Sequence, residues 1–317
     1  MTGVQKKWLN RALLAIGLGA IAWVISQFPL SAIGDACVDL GPLVFVTPVL
    51  ALGWFGASSW SLYYLLGGDV PWSALLYNRV VGEGYNALLP AAGVGGEPFK
   101  LKLLTRYVDT HRAVVALIND RIVENGIALA FSAACVAGGA IFLDVAPALR
   151  TTMIAYAIGA GLAALACAAL LLTSITSRIG GRIAKWIGAV TRDYERLPVR
   201  VLARSFGWTL VARAAGIFEI GVLFTLLGLD FTIWQVVFTA GALAAAGFVG
   251  GVIPQGVGIT EAASVGVFEL LGFPGEAGVA FALARRGRQL VTSIAGVSLH
   301  LATTRKRTAC KRDTRPA

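Results

Sequence analysis

Long apolar runs, separated by short polar connections, occupy almost the whole chain. They fall at about 9–28, 41–66, 72–90, 113–143, 148–174, 205–228, 231–252, 253–272 and 279–303. About 20 apolar residues are enough to cross the hydrocarbon core of a bilayer. The pattern therefore predicts an all-α integral membrane protein, with residues 1–317 forming a single polytopic domain. The third run ends in Pro90-Ala91-Ala92-Gly93-Val94-Gly95-Gly96-Glu97-Pro98, a string of helix breakers at membrane depth. Residues 178–190 differ from the rest. Ile179, Ile183, Ile187 and Val190 share one helical face, with Trp186 beside it and Arg182 and Lys185 off it. This is the pattern of an interfacial amphipathic helix lying on anionic lipid, or of a plain connector.

Charge sets the orientation. Basic residues collect at Lys6, Lys7 and Arg11, at Lys100 to Arg112, at Arg178 to Arg204, and at Arg305 to Arg315. The remaining loops are mostly acidic, with Asp35, Asp39, Asp144, Asp230 and Glu276. By the positive-inside rule the four basic clusters are cytoplasmic in an inner-membrane protein, and both termini lie inside. The run at 41–66 then ends inside and Lys100 to Arg112 is inside as well, so 72–105 must enter and leave from one face. It reads as a re-entrant hairpin. The same bookkeeping makes 231–272 a hairpin from the opposite face, broken at Gly250-Gly251 and Pro254, although both its arms are long enough to cross. The expectation is six full transmembrane helices plus two opposed re-entrant helical hairpins in an inverted-topology repeat. Repeat one covers about 9–143 and repeat two about 148–303.

Composition supports this picture: 57% of residues are hydrophobic and 14% charged, against about 25% charged in soluble domains. The net charge of +10 is carried by the loop clusters, which reads as orientation signal and not as a nucleic-acid surface. The apolar stretch after Arg11 has no small-residue cleavage site and reads as an uncleaved first helix. Cys37, Cys135, Cys167 and Cys310 show no paired spacing, and His111 and His300 have none either. No metal, disulfide framework or cofactor is expected. Nucleotide-binding and hydrolase motifs are absent, and no soluble catalytic domain is expected past the last run, so the chain does not read as an enzyme.

The two breaks share a constellation. Pro90 and Pro254 are 164 residues apart, Glu97 and Glu261 follow them by seven, and Arg121 and Arg285 follow those by 24. Pro-x6-Glu-x23-Arg thus occurs once per half. The helix-break positions are Pro90, Gly93, Gly95 and Gly96 in the first half, and Pro254, Gly256 and Gly258 in the second. Irregular backbone at membrane depth is tolerated only where it is buried in protein or lines a wet cavity. A half-helix starting there aims its N–H groups and positive dipole end into that space, which suits a carboxylate or a phosphate. Glu97 and Glu261 are candidate site residues, or else simple caps paired with Arg121 and Arg285. Asp120 and Glu124 beside Arg121, and Arg286 beside Arg285, complete the candidate set. Arg213, Glu219 and Arg288 are further charges at depth, and Arg79 and Glu83, four apart, read as a local ion pair. Arginine suits bidentate phosphate contact.

Leu88 to Pro98 and Ile253 to Ala263 resemble the two signature regions of the lysylphosphatidylglycerol synthase transmembrane-region family, also called flippase-like. Asn119-Asp120-Arg121 and Ala284-Arg285-Arg286 resemble its acidic-Arg and Arg-containing elements, and the likeness covers nearly the whole chain. Pro98, directly after Glu97, departs from the family pattern. The resemblance implies a multipass domain associated with moving anionic or prenyl-linked lipids, without the aminoacyl-transferase domain of the synthases. Its expected partners are membrane lipids of the anionic phospholipid or polyprenyl-phosphate type. A homodimer or a cell-envelope biosynthesis partner is a further option. An integral-membrane lipid transferase or hydrolase using Asp120 or Glu124, and a membrane anchor for a cytoplasmic glycosyltransferase, are the competing readings.

Overall fold

The computed structural model describes residues 46–88, 95–172, 197–250 and 258–313, with isolated positions at 38, 41, 179 and 182. The first predicted run, the breakers Pro90, Gly93, Pro254 and Gly256, and all but two positions of 178–190 lie outside the described residues.

Among the described residues every regular element is an α-helix: α1 (Val46–Leu65), α2 (Trp72–Leu88), α3 (Glu97–Leu104), α4 (Thr110–Phe142), α5 (Pro147–Leu172), α6 (Val199–Leu226), α7 (Ile233–Gly250), α8 (Ile259–Leu270) and α9 (Gly275–Asp313). Three of them, α4, α5 and α6, are long and apolar enough to cross a membrane. At a rise of about 1.5 Å per residue, the 33 residues of α4 exceed the roughly 30 Å of hydrocarbon. Its start is fixed by Asp109, whose carboxylate accepts from the Arg112 N–H at 3.0 Å. Helix α5 is apolar along most of its length and mostly exposed, with Ile158, Leu162 and Leu165 bare. Such a surface suits lipid and not water.

The packing falls into two similar halves. Each half has a leading helix, a short arm, a break, a half-helix and a long helix: α1 to α4, then α6 to α9. The contacts pair off between them. Helix α1 packs on α2 as α6 does on α7; α2 packs on α3 as α7 does on α8; α3 packs on α4 as α8 does on α9. Across the halves, the long helix α4 packs on the arm α7 and the long helix α9 packs on the arm α2, while α1 and α6 pack on each other. Each half also has its own apolar core. One holds Leu62, Val70, Leu75, Leu104, Ala113, Ala116 and Leu117. The other holds Leu223, Val236, Phe268, Ala277, Ala280 and Phe281, with Phe231 against it.

These cores superpose in sequence. Before the break the offset is 161, relating Leu62 to Leu223, Leu75 to Val236 and Val70 to Phe231. Gly67 and Gly228, also 161 apart, both turn the chain with positive φ, 67° and 66°. After the break the offset is 164, relating Leu104 to Phe268, Ala113 to Ala277, Ala116 to Ala280 and Leu117 to Phe281.

Small residues let the halves approach closely. A Cβ on Gly296 of α9 would meet the Val80 carbonyl oxygen of α2 at 2.4 Å, and one on Gly84 would meet the Ser293 carbonyl oxygen at 2.9 Å. Gly296→Ala is therefore expected to cost about 1–3 kcal/mol through overpacking. Gly287→Ala, on the same helix with nothing within 4 Å of a Cβ there among the described residues, should leave stability nearly unchanged. Thermal unfolding in detergent checks the pair, and equal melting would refute the close contact.

Candidate functional site

In the first half the site begins at Gly96. Its N–H donates to the Asn86 side-chain oxygen at 2.7 Å, and a Cβ there would lie 2.0 Å from the Gly82 carbonyl oxygen. Only glycine fits. Glu97 is the first residue of α3, with Pro98 beside it in the first turn where a missing N–H costs nothing. The Glu97 carboxylate accepts from Arg121 at 2.5 and 3.0 Å and from Lys100 at 3.2 Å. Lys100 was counted among the basic loop residues; the structure corrects this. It is 1% exposed, its stem crosses Gly82, and its ammonium lies between Glu97 and Glu83, 3.5 Å from the latter.

Arg79 is also buried and does not pair with Glu83 as its spacing suggested. It bonds Asp120 at 2.9 Å, Glu124 at 3.3 Å and the Ser58 carbonyl at 3.0 Å. The i,i+4 rule fails because the Arg79 side chain reaches across to Asp120 and Glu124 of α4, both more buried than Glu83, which takes Lys100 instead. Arg121 also reaches Glu124 at 3.4 Å, and Arg213 of α6 donates to the Glu124 backbone carbonyl at 3.3 Å.

In the second half Gly258 takes φ 86° and caps α8. Glu261, in the first turn, folds back to accept the Gly258 N–H at 2.7 Å, the glutamate half of a capping box, since glycine has no side chain to supply the other half. Its other oxygen binds Arg286, which also donates to Thr260 at 3.0 Å and to Gln289 at 2.9 Å. Here too the structure corrects the sequence pairing, since Glu261 takes Arg286 and not Arg285. Neighbouring residues on a helix point about 100° apart, so only one of the two can face α8. Arg285 instead lies over the Phe281 ring at 5.7 Å. Arg288 pairs with Glu219 at 2.7 Å. The second Glu219 oxygen is buried without a hydrogen-bond partner among the described residues.

A cavity of about 600 Å³ lies between the halves, walled by α1, α2, α4, α6, α7, α8 and α9. Arg121, Arg213, Arg285, Arg286 and Arg288 line it, opposed by Glu83, Glu219 and Glu261, so its wall is net positive. Glu261 faces this space directly. Glu97 is not in the lining and reaches it through Arg121. Asp120 and Glu124 stand behind the wall, clamped by Arg79. Gly95 and Gly96 form the turn before α3, and Gly258 the turn before α8. Among the described residues no group of His, Cys, Asp and Glu could hold a metal.

Apolar helices with a lipid-suited exterior and a charged internal cavity define a polytopic membrane protein. The family model for the lysylphosphatidylglycerol synthase TM region matches residues 12–296, and the chain belongs to that family. No curated protein matches the sequence. Membership ties the chain to membrane lipids.

Proposed function

We propose that the protein translocates a lipid with an anionic headgroup across the inner membrane, passing the headgroup through the cavity between its halves. One observation carries the reading. Arg285 and Arg213 line the cavity, and among the described residues neither forms an ion pair with a carboxylate. Unpaired guanidinium at membrane depth is costly, and an entering phosphate offsets that cost with bidentate contact. The cavity size falls in the range of small-ligand sites. The paired contacts support a two-part repeat, and with the charge pattern of the loops the reading takes it as an inverted repeat with two opposed re-entrant hairpins, six full spans and cytoplasmic termini. In that arrangement substrate sites sit at the repeat interface near the midplane.

The reading involves no catalysis. A lipid transferase needs a base that reaches its substrate, and Asp120 and Glu124 are outside the cavity lining. An anchoring protein needs no charge in its interior. Purified protein in vesicles with fluorescent phosphatidylglycerol or a polyprenyl phosphate decides among the three. Translocation predicts leaflet exchange faster than in protein-free vesicles with the lipid chemically unchanged. A new lipid product, or folded protein without exchange, refutes it.

Topology is tested separately. In a background lacking native cysteines, Arg106→Cys, just before α4, is expected to label only from the cytoplasm, and Asp144→Cys, just after it, only from outside. Labelling of both from one side would rule out the crossing of α4.

A further inference from the structure

The first half carries buried charge that its fold does not require. Arg79 is 1% exposed and Asp120 2%, and Glu124 lies one helical turn beyond Asp120 on the same face. Removing such groups from water is expensive, and well-packed apolar residues often serve stability as well or better. The second half shows that alternative. By the offsets of the two cores, Arg79 corresponds to Ala240 and Asp120 to Ala284, and both alanines belong to the apolar cluster of that half. The same framework closes with two methyl groups where the first half places an ion pair.

In this cluster Glu83, Glu97, Asp120 and Glu124 are held by Arg79, Lys100 and Arg121. With Arg213 of α6 also against Glu124, four carboxylates face four cations, so the cluster is balanced until a further anion enters. Arg213 touches the cluster at the Glu124 backbone carbonyl, and α1 contributes the Ser58 carbonyl to Arg79. Arg79 also has its Nε buried without a partner among the described residues. Arg121 is the cation of the cluster that lines the cavity. When Arg121 turns to a phosphate, Glu97 keeps Lys100, Asp120 and Glu124 share Arg79 with Arg213 beside Glu124, and the phosphate has added one negative charge to the balanced cluster. Two carboxylates that share one guanidinium beside an added anion favour taking up a proton, and that proton belongs to the pair.

We propose that the Asp120–Glu124 pair takes up one proton from water as an anionic headgroup engages Arg121, so that lipid and proton cross together. The proton forms a carboxyl O–H on entry and returns to water on the far side as Arg121 recloses on Glu124. A phosphodiester with one proton carries no net charge, so the step is electroneutral. This rests on the translocation reading and adds its driving force.

The test uses full-length protein in vesicles with acyl-labelled phosphatidylglycerol and an imposed pH difference of one unit. Coupling of one proton per lipid drives the leaflet ratio toward about tenfold in favour of the alkaline side, against unity without the difference. Exchange that settles at unity despite the pH difference overturns the coupling alone. Absence of exchange overturns the translocation reading beneath it. Asp120→Asn should settle at unity whatever its rate, and a variant that still follows the pH difference contradicts the assignment. Wild type in detergent gives a readout that needs no variant. Adding soluble short-chain phosphatidylglycerol should remove about one proton per protein from a weakly buffered dye solution, and no uptake at saturation overturns the proposal.

Discussion

Arg79→Ala should be among the most damaging single substitutions in the protein, lowering stability by about 3–5 kcal/mol because it strands buried charge. The guanidinium is the bonded cation of Asp120 and one of two that hold Glu124. The second half predicts the rescue. Arg79→Ala combined with Asp120→Ala recreates the Ala240 and Ala284 arrangement, leaving Glu124 to Arg121. The double variant should therefore melt above Arg79→Ala alone. Thermal unfolding of the three proteins in one detergent measures both effects, and a double variant no more stable than the single one would refute the equivalence of the two cores.

Arg285→Ala should do the opposite, sparing the fold and damaging transport. Its guanidinium lies against Phe281 and, among the described residues, holds no carboxylate in place. Charged hydrogen bonds to a phosphate are worth about 1.5–3 kcal/mol, so exchange should fall roughly 10- to 100-fold with melting little changed. Arg285→Lys keeps the charge but loses the planar fork and should recover little of the rate. Arg286→Ala, which removes the partner of Glu261, should lower stability as well. Full exchange by Arg285→Ala would place the phosphate elsewhere in the cavity.

The breaks, both glutamates and the doubled constellation could be read from the sequence because breakers and charge are rare in apolar helices and stand out. Glu97 and Glu261 do lie in the first turn of their half-helices, as the position of each after a proline implied. Partner choice was not legible. Whether Glu261 meets Arg285 or Arg286 turns on a rotation of about 100°, and spacing alone does not fix how α9 faces α8. Lys100 shows the same limit, since a lysine beside a basic loop has the same local sequence whether it snorkels to water or folds back over a glycine. The second offset was hidden too. Aligning on Pro90 and Pro254 gives 164, whereas the arms before the breaks align at 161, and only the packed cores show it. With that offset unseen, Arg79 had no counterpart in Ala240, and its pairing with Asp120 on another helix gave no signal in local spacing.

The central claim, that the headgroup passes between the halves, is tested most directly by plugging the cavity. Gly216 lines it, and a Cβ there meets nothing within 4 Å among the described residues. Gly216→Trp should fill the space without disturbing the packing around it. The measurement is the exchange rate of labelled phosphatidylglycerol in vesicles carrying wild type or this variant, with melting in detergent confirming that both are folded. The account predicts exchange above the protein-free rate for wild type and exchange reduced to that background for Gly216→Trp. Equal rates from two folded proteins would contradict it.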